Sequence, residues 1–242
     1  MARVLLYVGF MVDILYIKGR ESPNKDLELL YSLRSLRHVK DLGRVFVTGK
    51  RPHFVQNVIH TPCDDIGCKT INHWWKVTQT ILNTDIGDNF ALMYDDIFFL
   101  KDVYLENYPY YNRGDLREHN TGTQAYMDNL REAQKVLKKL GKPTLDYTLH
   151  IPCIYNRENF LKLREIYEPY MHKSAAPSVR CIYGNLFVGD SPYREDLKLR
   201  VKSDKLRDED CFSISDEMFV NVKDLLNERF GEKCKYENSI LY

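Results

Sequence analysis

No stretch of this 242-residue sequence stays apolar for the roughly 18 residues that a membrane-spanning helix needs, so no membrane span is expected. Charge of one sign is missing too. Lys and Arg total 35 against 34 Asp and Glu, which excludes a nucleic-acid binder driven by bulk charge and leaves room only for a local basic patch. Nine Pro and twelve Gly are too few for a fibrous or disordered chain. There is no Gly-x-x-x-x-Gly-Lys-Ser/Thr loop, no Gly-x-Gly-x-x-Gly and no Gly-x-Ser-x-Gly, which argues against P-loop enzymes, dinucleotide dehydrogenases and serine hydrolases. The six cysteines are scattered, and Cys63-x4-Cys68 is a poor zinc spacing with no second pair nearby. They read as reduced thiols of a cytoplasmic protein.

What is present is an ordinary globular composition, 44% hydrophobic and 29% charged, in a length ample for one substantial core. Residues 1–13 read as an opening buried strand rather than a signal peptide, because they carry one basic residue and no small-x-small cleavage site. Apolar runs at 4–8, 12–17, 44–48, 58–61 and 89–100 have strand length. Leucines 27, 30, 33 and 36 recur at helical spacing with Gly43 as a stop, and residues 69–82 carry a broad helical stripe. The resulting β-α-β-α-β order predicts an α/β layered domain with a largely parallel sheet. Residues 102–122 have no period and predict an irregular excursion. Further on, helices are expected over 123–140, 157–170 (capped by Asn156) and 217–230, and a strand over 147–154. Residues 198–210 are a charge run. No linker divides the chain, so a single catalytic domain over 1–242 is expected.

Asp95-Asp96 ends the strongest buried strand. Burying two like charges is costly unless a cation or hydrogen bonds neutralise them, and open α/β sheets bind ligands beyond the carboxyl ends of their strands. Mg²⁺ or Mn²⁺ shared with substrate phosphates would suit the pair. Asp13 interrupts an apolar run and stands equally well near a nucleotide base or bonded to a turn. Arg34 reads as a helix arginine. His150 lies inside an apolar stretch, where a lone histidine acts only in company. Arg180, flanked by apolar residues, needs an anion, and a phosphate suits its planar fork. Asp216 is a candidate helix cap.

In order, these pieces resemble the Stealth family of sugar-phosphate transferases, which take a hexose-1-phosphate from a nucleotide-sugar and leave a nucleoside monophosphate. Val12-Asp13-Ile14-Leu15-Tyr16 resembles the first block without its usual Trp. Asp26-Leu27-Glu28-Leu29-Leu30-Tyr31-Ser32-Leu33-Arg34-Ser35-Leu36 resembles the second, and Asn72 followed by Tyr94-Asp95-Asp96-Ile97-Phe98-Phe99 is similar to its Asn-Asp-Asp-x-Phe-Phe segment, with Tyr94 in place of Asn. His150-Ile151-Pro152 with Arg180, then Phe212-Ser213-Ile214-Ser215-Asp216, are similar to the third and fourth blocks.

The resemblance implies a Rossmann-like, glycosyltransferase A-type layered sheet with helices on both faces. It implies Asp96, His150, Arg180 and Asp216 as catalytic residues, Asp13, Arg34 and Asn72 as donor-binding, and Asp95 and Asp96 as ligands of a divalent cation. The expected partners are a nucleotide-sugar donor and a glycan or other polymer acceptor. Alternatives are a glycosyltransferase releasing nucleoside diphosphate, which includes one acting on modified bases in DNA guided by residues 34–40 and 198–205, and a non-catalytic sugar-nucleotide binder.

Overall fold

The structure, a computed structural model, describes residues 11–118, 122–200 and 208–238. The expected strand at 4–8, and most of the stretch weighed as a signal peptide, lie outside them, as does most of the charge run after residue 200.

The first sheet is built from β1 (Val12–Lys18), β2 (Leu42–Gly49), β3 (Ile59–Thr61), β4 (Asn89–Met93) and β6 (Cys153–Asn156) in the order β3-β2-β1-β4-β6. The first four strands are parallel and β6 is antiparallel at the edge. The run Ile14–Ile17 in the middle of β1 is apolar on successive positions because both faces of the sheet are covered, with Asp13 and Lys18 at its two ends. Ile14 and Tyr16 pack with helix α1 (Leu27–Ser35), while Leu15 packs with helix α2 (Lys69–Asn83) on the other face. The chain runs from β1 outward to β3 and returns through α2 to β4. The strand order therefore reverses between β1 and β4, which is where such sheets leave a crevice at the carboxyl ends.

A second sheet of β5 (Ile97–Phe99), β7 (Lys198–Leu199) and β8 (Cys211–Ile214) has the order β5-β8-β7. Asp95 and Asp96 form the turn that carries the chain from one sheet to the other, closed by Ile97 N–H donating to Tyr94 O at 3.3 Å. Phe98 and Phe212, with ring centroids 4.9 Å apart, anchor a core that helix α7 (Asp216–Phe230) covers with Phe219, Val222, Leu226 and Phe230. Helix α3 (Gln124–Lys139), α4 (Arg157–Leu161), α5 (Arg164–Tyr167) and α6 (Val179–Tyr183) complete the layer over the α2 face. The architecture is α/β, a mixed sheet flanked by helices, consistent with a Rossmann-like or glycosyltransferase A-like layout. Among the described residues no helix is long and apolar enough to cross a membrane.

Three local expectations are corrected. Gly43 does not stop α1, which ends at Ser35 and passes into a 3-10 turn, Leu36–His38. The glycine lies inside β2, where a Cβ would stand 2.6 Å from Asp13 Oδ1 and 3.0 Å from the β1 backbone. The strand expected over 147–154 survives only as β6. Upstream, backbone groups are engaged by side chains instead of a neighbouring strand: Thr148 N–H donates to Asp146 Oδ1 and His150 N–H to Asp196 Oδ1. The helix expected over 157–170 starts at its predicted cap, with Asn156 Oδ1 accepting from Asn159 N–H, but breaks into α4, α5 and a 3-10 turn, Glu168–Tyr170, opened by Pro169. A tightened Leu163 N–H to Phe160 O bond marks the first break. The excursion at 102–118 has only two 3-10 turns, as its lack of period predicted.

Candidate functional site

Two hollows open at the carboxyl ends of the parallel strands. The larger, about 650 Å³, lies at the β1/β4 reversal and is walled by α2, α3 and α6; Ile17, His73, Tyr94, Tyr126, His150 and Arg180 contribute to it. The second, about 530 Å³, lies over the ends of β1, β2 and β3 and gathers Lys18, Arg20, Lys50, Arg51 and Lys76 with Asp64 and Asp65. Ile17 and Lys18 are successive residues of β1, and a strand points successive side chains oppositely, so one strand end serves both hollows. Cys63 and Cys68 fall in different hollows and do not form a pair.

Arg180 is the most unusual group. It is 5% exposed, lies over the Tyr94 ring at 4.3 Å and donates through Nη1 to Leu149 O. Its Nε and Nη2 have no hydrogen-bond partner among the described residues. A guanidinium keeps its charge inside a protein, so two unanswered donors on a residue that lines a cavity ask for an anion. Next to it the His73 ring is wedged between the hydroxyls of Tyr94 at 3.1 Å and Tyr155 at 3.4 Å. Burial and the charge of Arg180 push His73 down to about 3, so it is neutral and acts as a spacer that holds both tyrosines.

His150 meets Asp196 through Nδ1, 3.0 Å from each carboxylate oxygen, and Asp196 also accepts the His150 backbone N–H at 3.0 Å. Burial acts to raise Asp196, but the hydrogen bonds and charge of His150, with Arg113 nearby, hold it well below the usual carboxylate range. The dyad fixes the imidazole through Nδ1, and no partner of Nε2 is found among the described residues; His150 as a residue lines the larger hollow.

The Asp95-Asp96 turn is not part of the lining of either hollow; it follows Tyr94 of the larger one and is tied to Lys18 of the second. Asp95 pairs with Lys18 at 2.9 Å, and Lys18 reaches Asp26 at 2.6 Å. Burial pushes the Asp95 carboxyl up against the pull of Lys18, and Asp96 adds to the rise. Asp96 Oδ2 pairs with Lys198 at 3.0 Å, while its buried Oδ1 has no partner among the described residues. Among the described residues no three His, Cys, Asp or Glu side chains converge as a metal site. A cation on these two carboxylates would have to take its other ligands from substrate and water, as Mg²⁺ commonly does.

The remaining residues singled out in the sequence are placed as follows. Asp216 is exposed as the first residue of α7, with Ser215 and not Asp216 at the cap position, and it lines neither hollow; two residues before it, Ile214 N–H donates to Asp96 O at 3.3 Å. Asn72 meets neither hollow with its amide. It accepts from Ile66 and Gly67 N–H at 2.8 and 2.9 Å and so orders the loop that leads into α2. Asp13 is at the amino-terminal end of β1, away from both hollows, answered by Arg44 and by the N–H groups of Arg44 and Gly87. Arg34 is a clamp to the last described residues, pairing with Glu237 at 2.7 Å and donating to Phe230 O. The basic stretch around it is not a free patch, since Arg37 pairs with Glu232 and Lys40 with Asp102.

Sequence reasoning missed Asp196 and the cations of the second hollow. Lys18-Gly19-Arg20 and Lys50-Arg51 each follow a strand, and applying the carboxyl-end rule to every strand would have found them. Asp196 sits in a charged loop with no local signal.

No protein-family model matches the chain, and no curated protein does. Among solved structures it is similar to the apo form of the glycosyltransferase GlyE of Streptococcus pneumoniae TIGR4, at 12% identity and a TM-score of 0.40, over 78% of this chain and 46% of that one. A second GlyE structure gives 11% identity and a TM-score of 0.39 over the same shares. The chain thus spans less than half the length of these structures.

Proposed function

We propose that this chain is a nucleotide-sugar-dependent transferase of the Stealth type, moving a hexose-1-phosphate to a hydroxyl of a glycan or other polymer. The observation that carries the reading is Arg180, a buried guanidinium with two unanswered donors, in one cavity with the His150–Asp196 dyad. The basic hollow takes the nucleotide end of the donor, Lys18 and the carboxylate turn flank the diphosphate, and the larger cavity takes sugar and acceptor.

In this mechanism His150 Nε2 accepts the proton of the acceptor hydroxyl, oriented by Asp196. The hydroxyl oxygen forms a bond to the β-phosphorus, the bond from that phosphorus to the bridging oxygen breaks, and nucleoside monophosphate leaves. Arg180 answers the charge gathered on the phosphoryl oxygens, and positioning does the rest. Asp95 and Asp96 would hold a Mg²⁺ or Mn²⁺, with Asp216 in support, and such an ion supplies Lewis-acid neutralisation of phosphate. The unpartnered Asp96 Oδ1 favours this assignment, and the lysines on both carboxylates are the groups it would displace.

Incubation with Mn²⁺, a panel of nucleotide-sugars and polyol acceptors tests the reading. Release of nucleoside monophosphate supports it. Release of diphosphate means attack at the anomeric carbon by the same residues, hence glycosyl transfer. Neither product with any donor removes both.

A further inference from the structure

The chain has two tryptophans, and both line a third hollow of about 460 Å³ between α2 and the α4–α5 segment. That volume is in the range of small-molecule sites, about 300–1,000 Å³. Trp74 is held flat against Tyr167, with centroids 5.7 Å apart and planes at 17°, while Trp75 is half-buried and tilted 46° from it. One turn along α2, Thr78 lines the same hollow. Trp74 Nε1 and Thr78 Oγ1 are both buried, and neither has a hydrogen-bond partner among the described residues. Leu82 extends the apolar wall and is 62% exposed. The rim holds Gln79 and an Arg164–Glu168 pair.

Two features here call for an occupant. Leaving an indole N–H and a hydroxyl buried without partners is unfavourable, because each loses its hydrogen bonds to water and gains none. Large apolar side chains are also left open beside them. An alkyl chain would cover the indoles and leave both polar atoms unanswered. An anion would find the rim cation already neutralised by Glu168. A pyranose has an apolar C–H face to lie on an indole and an edge of hydroxyls that both donate and accept. We propose that the tryptophan hollow is a carbohydrate-binding site that holds a sugar ring of a glycan, separate from the transferase cavity. On α2, His73 contributes to the cavity, while Trp74 and Thr78 contribute to this hollow. The inference needs no catalytic step and stands whether or not sugar-phosphate transfer occurs.

The two indole ¹H–¹⁵N resonances of the full chain report directly on this hollow. The chain is titrated with maltose, cellobiose, lactose, chitobiose and mannobiose, and with decanol as an alkyl control. Saturable movement of both indole peaks with at least one disaccharide is expected. Thr78→Val, which keeps the shape and removes the hydroxyl, is expected to weaken that binding about tenfold, while Arg180→Met leaves it unchanged. The proposal is overturned if no disaccharide saturates either peak, or if decanol does and the sugars do not. It is likewise overturned if Thr78→Val has no effect, or if Arg180→Met abolishes the response, since the sugar would then sit in the transferase cavity.

Discussion

The two ends of the first sheet carry the same kinds of charged residue and treat them in opposite ways. At the amino-terminal end Asp13 is 6% exposed and both of its oxygens are answered, by the Arg44 guanidinium and two backbone N–H groups. Under α7, Arg34 is similarly closed by Glu237 and a carbonyl. At the carboxyl end Arg180 is as buried as Asp13 but two of its nitrogens are unanswered among the described residues, and Asp96 keeps one oxygen in the same state. Burial of a charge is therefore no sign of function by itself. On the proposed function, what separates structural from functional charge is whether the fold supplies the partner or leaves it to a ligand.

The sharpest separation comes from paired substitutions. Arg180→Met is expected to lower transfer about 10²- to 10³-fold, the usual loss for a donor aimed at developing charge, with no fall in urea midpoint. Arg34→Met strands Glu237 in the interior and is expected to cost about 3–5 kcal/mol of unfolding free energy. Its activity per folded molecule, measured at low temperature, stays near that of the parent. Interchanged outcomes would dissolve the distinction between the two ends. Asp196→Asn tests the dyad next. It is expected to reduce kcat about 10²-fold with little change in KM, because it removes the group that orients His150 and touches no substrate. An equal rise in KM would mean that Asp196 binds substrate instead.

A third expectation concerns pH. His73 has an ordinary value of 6.5 and a folded value of about 3, set by burial and by Arg180. Between these values the unfolded chain takes up a proton that the folded chain refuses. Stability is then full above about 6.5 and falls as pH drops towards 3, at up to about 1.4 kcal/mol per unit from this group. His73→Phe should flatten that limb relative to the parent in urea titrations at pH 4 and 7. A parallel limb in the variant would assign the acid sensitivity to carboxylates alone.

How much of this was legible beforehand follows from the range of the interactions. The parallel strands and α1, α2, α3 and α7 announced themselves because periodicity is local, and the strand break at Asp95-Asp96 was readable as two acids between apolar runs. Arg180 and His150 were readable as polar residues with no local reason to be buried. Asp13 looked the same on paper and Arg34 read as a solvent-facing helix arginine, whereas it is buried; their partners, Arg44 and Glu237, lie 31 and 203 residues away, beyond any local pattern. Asp196 was invisible for the same reason, 46 residues from His150. The helix expected over 157–170 broke although Phe160, Leu163 and Tyr167 keep one buried face, at the tightened turn of Leu163 N–H to Phe160 O and at Pro169, a residue that opens a 3-10 turn.

The smallest effects belong to the exposed cations of the basic hollow. Arg20, Lys50 and Arg51 are exposed at strand ends, where screening limits each charge to a fraction of what a buried pair delivers. Each change to Ala is expected to weaken binding of a nucleoside diphosphate two- to fivefold at 50 mM salt, with the difference vanishing near 0.5 M. Lys138→Ala, equally exposed but on the outside of α3, should change nothing at either salt. Losses that persist at high salt would mean that a side chain hydrogen-bonds the nucleotide directly. Losses matched by Lys138→Ala would mean that the basic hollow is not the nucleotide site, and that charge anywhere on this nearly neutral chain serves as well as charge beyond β1 and β2.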